Sequence, residues 1–270
     1  MQAEDIMQQW LEGLSPHTQR SYRTAVRLFE ARAGVTWLAA TSAHVQEWRR
    51  SMEDAGLLRS TIGQRLTALS SLYEFTGRTQ PVSNPVRAAA MREAGKELLL
   101  HLPMEPEGAE DPGPGALLTG HTAAEIERLL DAALASVPGA VGVNNHMGSK
   151  ATADRAFMDV LLDALGRRGL FFVDSRTTSL TVAASEAERL GVPYLARKVF
   201  LDAVDGGIEG SLAGAVDAAA RGGAAVAIGH VQTDGLAAIL RRAADGMRRS
   251  GVKPATLSAL IASHAGKAAE

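Results

Sequence analysis

A chain of 270 residues with 46% hydrophobic, 21% charged and 4% aromatic residues has the composition of a folded globular protein, long enough for one large domain or two ordinary ones. It has no cysteine, which excludes disulfides, zinc fingers, iron–sulfur clusters and thiol catalysis and leaves His, Asp and Glu to hold any metal. The net charge of -2 conceals an asymmetry: up to Arg92 there are 11 Arg and no Lys against 8 acidic residues, a net +3, whereas the remainder carries -5.

From the amino terminus, residues 4–13 read as a short leading helix. Glu4, Asp5 and Glu12 fall within a stretch that has no basic start and no apolar block behind it, unlike a secretory signal, and the expected location is cytoplasmic. No apolar run approaches the ~20 residues of a membrane span. Ser15-Pro16 is a helix start, followed by Tyr22, Val26, Phe29 and Ala33 at helical spacing up to Gly34. Thr41-Ser42 opens a second helix that stops at Gly56. Ser60 is expected to cap a third, striped by Ile62, Leu66, Leu69 and Tyr73 and ending at Gly77. Residues 81–85, with Pro81 and Pro85, predict a turn that breaks the chain.

Beyond this turn the pattern changes. Short apolar runs at 97–102, 140–143, 170–174, 198–201 and 224–228 alternate with amphipathic stretches near 121–135, 151–168, 181–190, 208–221 and 233–249. Such alternation predicts β/α units and a mostly parallel sheet. All the runs except the fourth end in a polar cluster: His101 to Glu105, Asn144-Asn145-His146, Asp174-Ser175-Arg176, and Gly229-His230. Parallel β/α folds place their chemistry at the carboxyl ends of the strands, so these clusters mark the candidate site. Asp174-Ser175-Arg176 also reads as a plain turn with an internal ion pair. His17, His44, His121 and His264 carry no functional expectation.

Two family resemblances follow from longer patterns. Ser15-Pro16-His17-Thr18, Tyr22 and Phe29, then Thr61-Ile62, Leu66, Leu69-Ser70-Ser71-Leu72-Tyr73 and Asn84-Pro85-Val86, resemble the amino-terminal core-binding domain of tyrosine recombinases over about residues 1–87. The resemblance implies a small helical domain that clamps duplex DNA. Arg20, Arg23 and Arg27 share a helix face, Thr18 and Ser60 stand near helix starts, and Arg59 and Arg65 bracket the start of the third helix, which suits phosphate contact. The recombinase catalytic domain does not follow Pro85. Tyr194 is the one later tyrosine, so strand cleavage is not expected.

The second pattern comprises Leu99-Leu100-His101-Leu102-Pro103-Met104-Glu105-Pro106 with Pro112-Gly113-Pro114-Gly115, then Gly142-Val143-Asn144-Asn145-His146-Met147-Gly148-Ser149, Gly169-Leu170-Phe171-Phe172-Val173-Asp174-Ser175-Arg176-Thr177-Thr178, Val199-Phe200-Leu201-Asp202 and Ile228-Gly229-His230. From about Ala88 to Ala262 it resembles the divergent polysaccharide deacetylases. The resemblance implies a distorted β/α barrel and metal-dependent removal of acetyl groups from carbohydrate. Hydrolysis of that kind needs a polarised carbonyl, an activated water and an acid for the leaving group. His101 and Glu105, at i, i+4 spacing, are the first candidate ligands for zinc or a similar divalent ion, with His146 as a third. His230 falls where the wider family places its acid, and Asp174 is the candidate to orient a base or imidazole. Arg176, Asn144, Asn145 and Ser149 are candidates to hold carbohydrate.

Two departures qualify this. The family's opening strands and their paired aspartates, ligand and base, are missing, and the chain contains no Asp-Asp. Val231 stands where a proline usually follows Gly-His. The expected architecture is therefore a small all-α helical domain, 1–87, followed by an incomplete β/α deacetylase-like barrel, 88–270. The expected hydrolytic activity is weak or absent, and a sheet edge is left to be covered by the helical domain, by another chain, or not at all. The alternatives are a DNA-binding module without recombinase chemistry and a nonfunctional fusion of two gene fragments.

Overall fold

The computed structural model describes residues 3–77, 84–202, 207–230 and 233–267, so Val231 and most of the expected turn at 81–85 lie outside the described residues. The chain divides into two compact units, residues 1–98 with 134–139, and residues 99–133 with 140–270.

The first unit contains the helices α1 (Ala3–Glu12), α2 (Pro16–Ala33), α3 (Ser42–Asp54), α4 (Arg59–Thr76) and α5 (Pro85–Glu93). Ser15 caps α2 by accepting the Thr18 backbone N–H, and Gly34 ends it in the left-handed conformation that a residue without Cβ adopts freely. The stripes meet in one core. Val26 and Phe29 from α2, Trp48 from α3, and Leu69 and Tyr73 from α4 are buried with Trp10 and Trp37. Trp10 stacks on Tyr22, and Trp37 meets Tyr73 edge-on.

One local expectation is corrected. Leu58 precedes α4 without a side-chain cap, so Ser60 lies inside the helix, exposed, rather than capping it. The turn is followed by a helix that the sequence pattern does not place. The Asn84 side chain accepts from the Val86 and Arg87 N–H groups, and Pro85 starts α5, the same start chemistry as Ser15-Pro16.

The second unit is a five-stranded parallel sheet in sequential order: β1 (Leu99–Met104), β2 (Gly142–Met147), β3 (Phe171–Asp174), β4 (Tyr194–Phe200) and β5 (Val226–Ile228). The connecting helices are α6 (Ala123–Ser136), α7 (Arg155–Arg167), α8 (Ala183–Leu190) and α9 (Gly207–Gly222). After β5 come α10 (Leu236–Arg249) and α11 (Leu257–Lys267). The sequence pattern places all five strands, but β1 and β2 run further than expected. His101 is therefore mid-strand, and Asn144 to His146 belong to β2 rather than to a loop behind it.

Register decides which side chains meet. His101 pairs with Asn144, Asn144 with Val173, and Val173 with Leu195. With a two-residue period, His101, Asn144, His146, Val173, Leu195 and Arg197 share one face of the sheet. At its amino end that face is apolar: Phe171, Val173, Leu195 and Val226 pack with Leu257, Leu260 and Ile261 of α11. At its carboxyl end it is polar. On the other side of the sheet α7 packs against β3 and α8, burying Met158, Leu161, Leu162 and Leu165. Among the described residues the sheet stays open, with β1 and β5 as its edges, and the free edge of β1 is covered at Met104 by a bridge to Leu117.

Candidate active site

The polar end of the open face is built around two histidines. His101 Nδ1 lies 2.8 Å from Asn144 Oδ1. The Asn144 amide nitrogen donates to Val173 O (2.7 Å) and to Ser175 Oγ (2.8 Å), so its oxygen is the acceptor in the pair with His101. His101 therefore carries its proton on Nδ1 and presents the Nε2 lone pair. His146 Nδ1 lies 3.2 Å from that Nε2, with the two rings edge to face. Burial foremost, with the neighbouring imidazoles of His146 and His230 disfavouring a further positive charge, pushes the His101 pKa below its ordinary value.

The separation of the two nitrogens matches an edge of a tetrahedral zinc site, where ligands about 2.0–2.1 Å from the ion stand about 3.3 Å apart. Asn144 behind His101 is the kind of outer partner that fixes a ligand tautomer. Histidines 101 and 146 thus fit two corners of a divalent-metal site. Glu105 does not join them. Its i, i+4 spacing from His101 converges on a helix, but on an extended strand it separates the residues by about 13 Å. The Glu105 carboxylate instead accepts from Lys150 Nζ (2.6 Å) and from the Thr119 N–H and hydroxyl (2.7 Å each). Lys150 foremost, with Thr119, holds its pKa down at about 2. No group of three or more His, Asp or Glu converges on a metal position among the described residues.

On the β5 side, His230 is a proton-transfer candidate with an orienting carboxylate, but the partner is Asp202, not Asp174. Asp202 Oδ2 accepts from the His230 backbone N–H (2.7 Å), the Thr233 hydroxyl (2.7 Å) and His230 Nδ1 (2.9 Å). The Asp202 side chain is 8% exposed and that of His230 63%, so the free Nε2 edge of His230 faces solvent. Burial opposes ionisation of Asp202, yet these three donors hold its pKa down at about 2. Asp174 is fully buried on the opposite face, accepting from the Arg176 N–H (2.7 Å), the Thr181 hydroxyl (2.8 Å) and the Tyr194 hydroxyl (3.2 Å). It shapes a turn, with no ion pair to the Arg176 side chain.

The expected carbohydrate contacts divide. Asn144 is engaged as above. Asn145 is fully buried, donating to Met147 O and accepting from Ser175 N–H, so both asparagines tie strand ends together rather than face a ligand. Ser149 accepts from the Glu107 N–H at 2.8 Å. Arg176 is exposed. It and Met147 adopt left-handed backbone, with φ of 50° and 52°, strain that concentrates at the ends of β3 and β2. Two residues escaped the sequence reading. Asp202 carried the signal of a lone acid directly behind the fourth apolar run, the position Asp174 holds at the third. Arg197 is a guanidinium inside a strand.

In the first unit, Arg20 and Arg27 are exposed on α2, whereas Arg23 is half-buried and donates to Gln8 of α1. Thr18 pairs with Ser15 through their hydroxyls. Arg65 is half-buried on α4. Gln64 of α4 donates to Ser21 of α2 at 3.4 Å, which joins the amino-terminal turns of the two helices.

Comparison with known proteins agrees with this division. Residues 9–80 match the phage integrase, N-terminal SAM-like domain. A tyrosine recombinase of Synechococcus elongatus is 38% identical over 88 residues, 27% of this chain and 28% of its own. An uncharacterised protein of Haemophilus influenzae is 38% identical over 160 residues (57% of this chain, 57% of that protein). The uncharacterised protein YibQ of Escherichia coli is 40% identical over 145 residues (53% of this chain, 46% of that protein). The chain thus spans about half the length of these two curated relatives, 57% and 46%. The crystal structure of an uncharacterised Agrobacterium tumefaciens C58 protein superposes with a TM-score of 0.61 at 26% identity, covering 66% of this chain and 73% of that one. Residues 81–261 match the model for divergent polysaccharide deacetylases, and with the parallel sheet and its histidine-bearing edge this places the chain in the divergent polysaccharide deacetylase family.

Proposed function

We propose that the second unit is a metal-dependent carbohydrate deacetylase site of reduced power, with weak or no hydrolysis by this chain alone. The observation that carries this reading is the His101–His146 pair, held from behind by Asn144 and sharing its surroundings with His230. His101 Nε2 and His146 Nδ1 would hold a divalent ion, zinc foremost, which when bound polarises an acyl carbonyl. Asn144 keeps the His101 lone pair forward. Asp202 keeps the His230 proton on Nδ1 and its Nε2 free to exchange a proton with a leaving group. Among the described residues no carboxylate stands beside the pair to act as further ligand or base, which is the reason to expect weak turnover.

Metal analysis of the purified full chain tests this. The expected result is close to one zinc or similar ion per chain, lost in His101→Ala, with any hydrolysis of acetylated sugars lost on chelation. Hydrolysis that survives both chelation and His101→Ala overturns the reading.

A second activity is supported by the first unit. Arg20, Arg59 and Ser60 are exposed around the amino-terminal turns of α2 and α4, which Ser21 and Gln64 join. Exposed arginines beside two helix starts suit the phosphates of duplex DNA. Salt-sensitive duplex binding weakened by Arg20→Ala and Arg23→Ala is expected in a fluorescence-anisotropy titration. No binding at low salt rejects it.

A further inference from the structure

The carboxyl end of the sheet carries several cationic groups, and three of its described carboxylates are already engaged. Glu105 is paired with Lys150, Asp202 with His230 and Thr233, and Asp174 is buried under its own turn. Arg197 lies on the same face as His146, two strands away, which at the usual strand spacing is about 10 Å. It is anchored on three sides. Nε donates to Ser175 O at 2.6 Å, Nη2 donates to Arg176 O at 3.0 Å, and the guanidinium lies 3.8 Å over the centre of the Phe200 ring. Phe200 in turn stacks against His230. These contacts hold the guanidinium plane and leave Nη1 without a hydrogen-bond or ion-pair partner among the described residues. Arg176, whose carbonyl Arg197 holds, is exposed and has left-handed backbone, and its side chain forms no ion pair among the described residues. Burial foremost, with Arg176, opposes the charge on Arg197, while the Asp174 carboxylate favours the charged form without pairing with it directly, so an anion in direct contact would be favourable.

Building on the deacetylase reading, we infer that Arg197 and Arg176 form an anion subsite beside the histidine pair, and that the carbohydrate bound here carries a carboxylate or phosphate on or next to the acylated sugar. Arg197 is a specificity-determining residue in this arrangement. Its planar fork matches either anion, and the distance to His146 is bridged by a sugar of one or two rings.

The test is calorimetric titration of the full chain, without added metal and at fixed ionic strength, with glucuronate, glucose 6-phosphate and glucose. At least one anionic sugar should bind about tenfold or more tightly than glucose, the effect of one charge-assisted contact. Preference for glucuronate identifies the anion as carboxylate, and preference for the phosphate ester identifies it as phosphate. Arg197→Lys should lose most of the preference. Arg176→Asn, which keeps the left-handed backbone and breaks no side-chain contact, should lose part of it and serves if Arg197→Lys does not fold. Equal binding of all three sugars overturns the inference, as does a preference unchanged in both variants, or acetate alone competing as well as glucuronate. His101→Ala separates this inference from the reading it rests on. Anion preference kept without metal binding rejects the hydrolase alone, and metal binding without anion preference rejects the subsite alone.

Discussion

Asn144 carries more of the candidate site than its short side chain suggests. It donates to Val173 O and Ser175 Oγ and accepts from His101, so all its polar groups are used in a nearly buried position. Asn144→Ala should cost about 1–3 kcal/mol, the range for orphaning buried partners, in urea unfolding monitored by circular dichroism. It should also release the His101 tautomer and weaken metal binding. Asp202 yields a pH prediction. Its pKa falls from 3.8 in the unfolded chain to about 2 in the fold. The stabilisation it contributes is therefore complete above about pH 4 and disappears as the pH falls through about 2. Acid unfolding of Asp202→Asn should lack that component, and the variant and the parent should differ less at pH 2 than at pH 6. Neither role was legible from residue type. Asn144 reads as a sugar contact and Asp202 as the end of an apolar run until the strands are placed side by side.

At the scale of elements, caps and periodicity were legible and extents were not. Ser15-Pro16 and Thr41-Ser42 start α2 and α3 where the sequence places them, because a cap is satisfied by neighbours within four residues. The length of β2 depends instead on β1 beside it, which carries pairing on through His146 and Met147. That extension turned Asn144 and Asn145 from loop residues into buried strand residues. The register also brings Gly142 against Phe171, where an added Cβ would lie 2.4 Å from the ring. Gly142→Ala should therefore destabilise the sheet unit by about 1–3 kcal/mol, measured by denaturant unfolding. An unchanged midpoint would show that the ring moves aside freely. Helix α11, absent from the expected elements, packs on the apolar half of the open face and leaves the polar half to the histidines.

The whole molecule is two compact units with separate cores. Trp10, Trp37 and Trp48 all lie in the first, so tryptophan emission reports its unfolding alone, whereas far-ultraviolet circular dichroism reports both. The two probes should give non-coincident denaturant transitions, and superimposable curves would show one cooperative unit instead. No helix among the described residues is long and apolar enough to cross a membrane. The sequence by itself determined the helical first part, the five β/α repeats behind it, the exclusion of thiol chemistry and the candidacy of His101, His146 and His230. Each of these follows from residue type or from patterns repeating over a few positions. The tertiary structure alone decided that Glu105 turns to Lys150, that Asp202 rather than Asp174 serves His230, and that Arg197 shares a sheet face with the histidine pair. Those partners are separated along the chain, by 45 positions for Glu105 and Lys150 and by 28 for Asp202 and His230, so only strand register determines which of them meet.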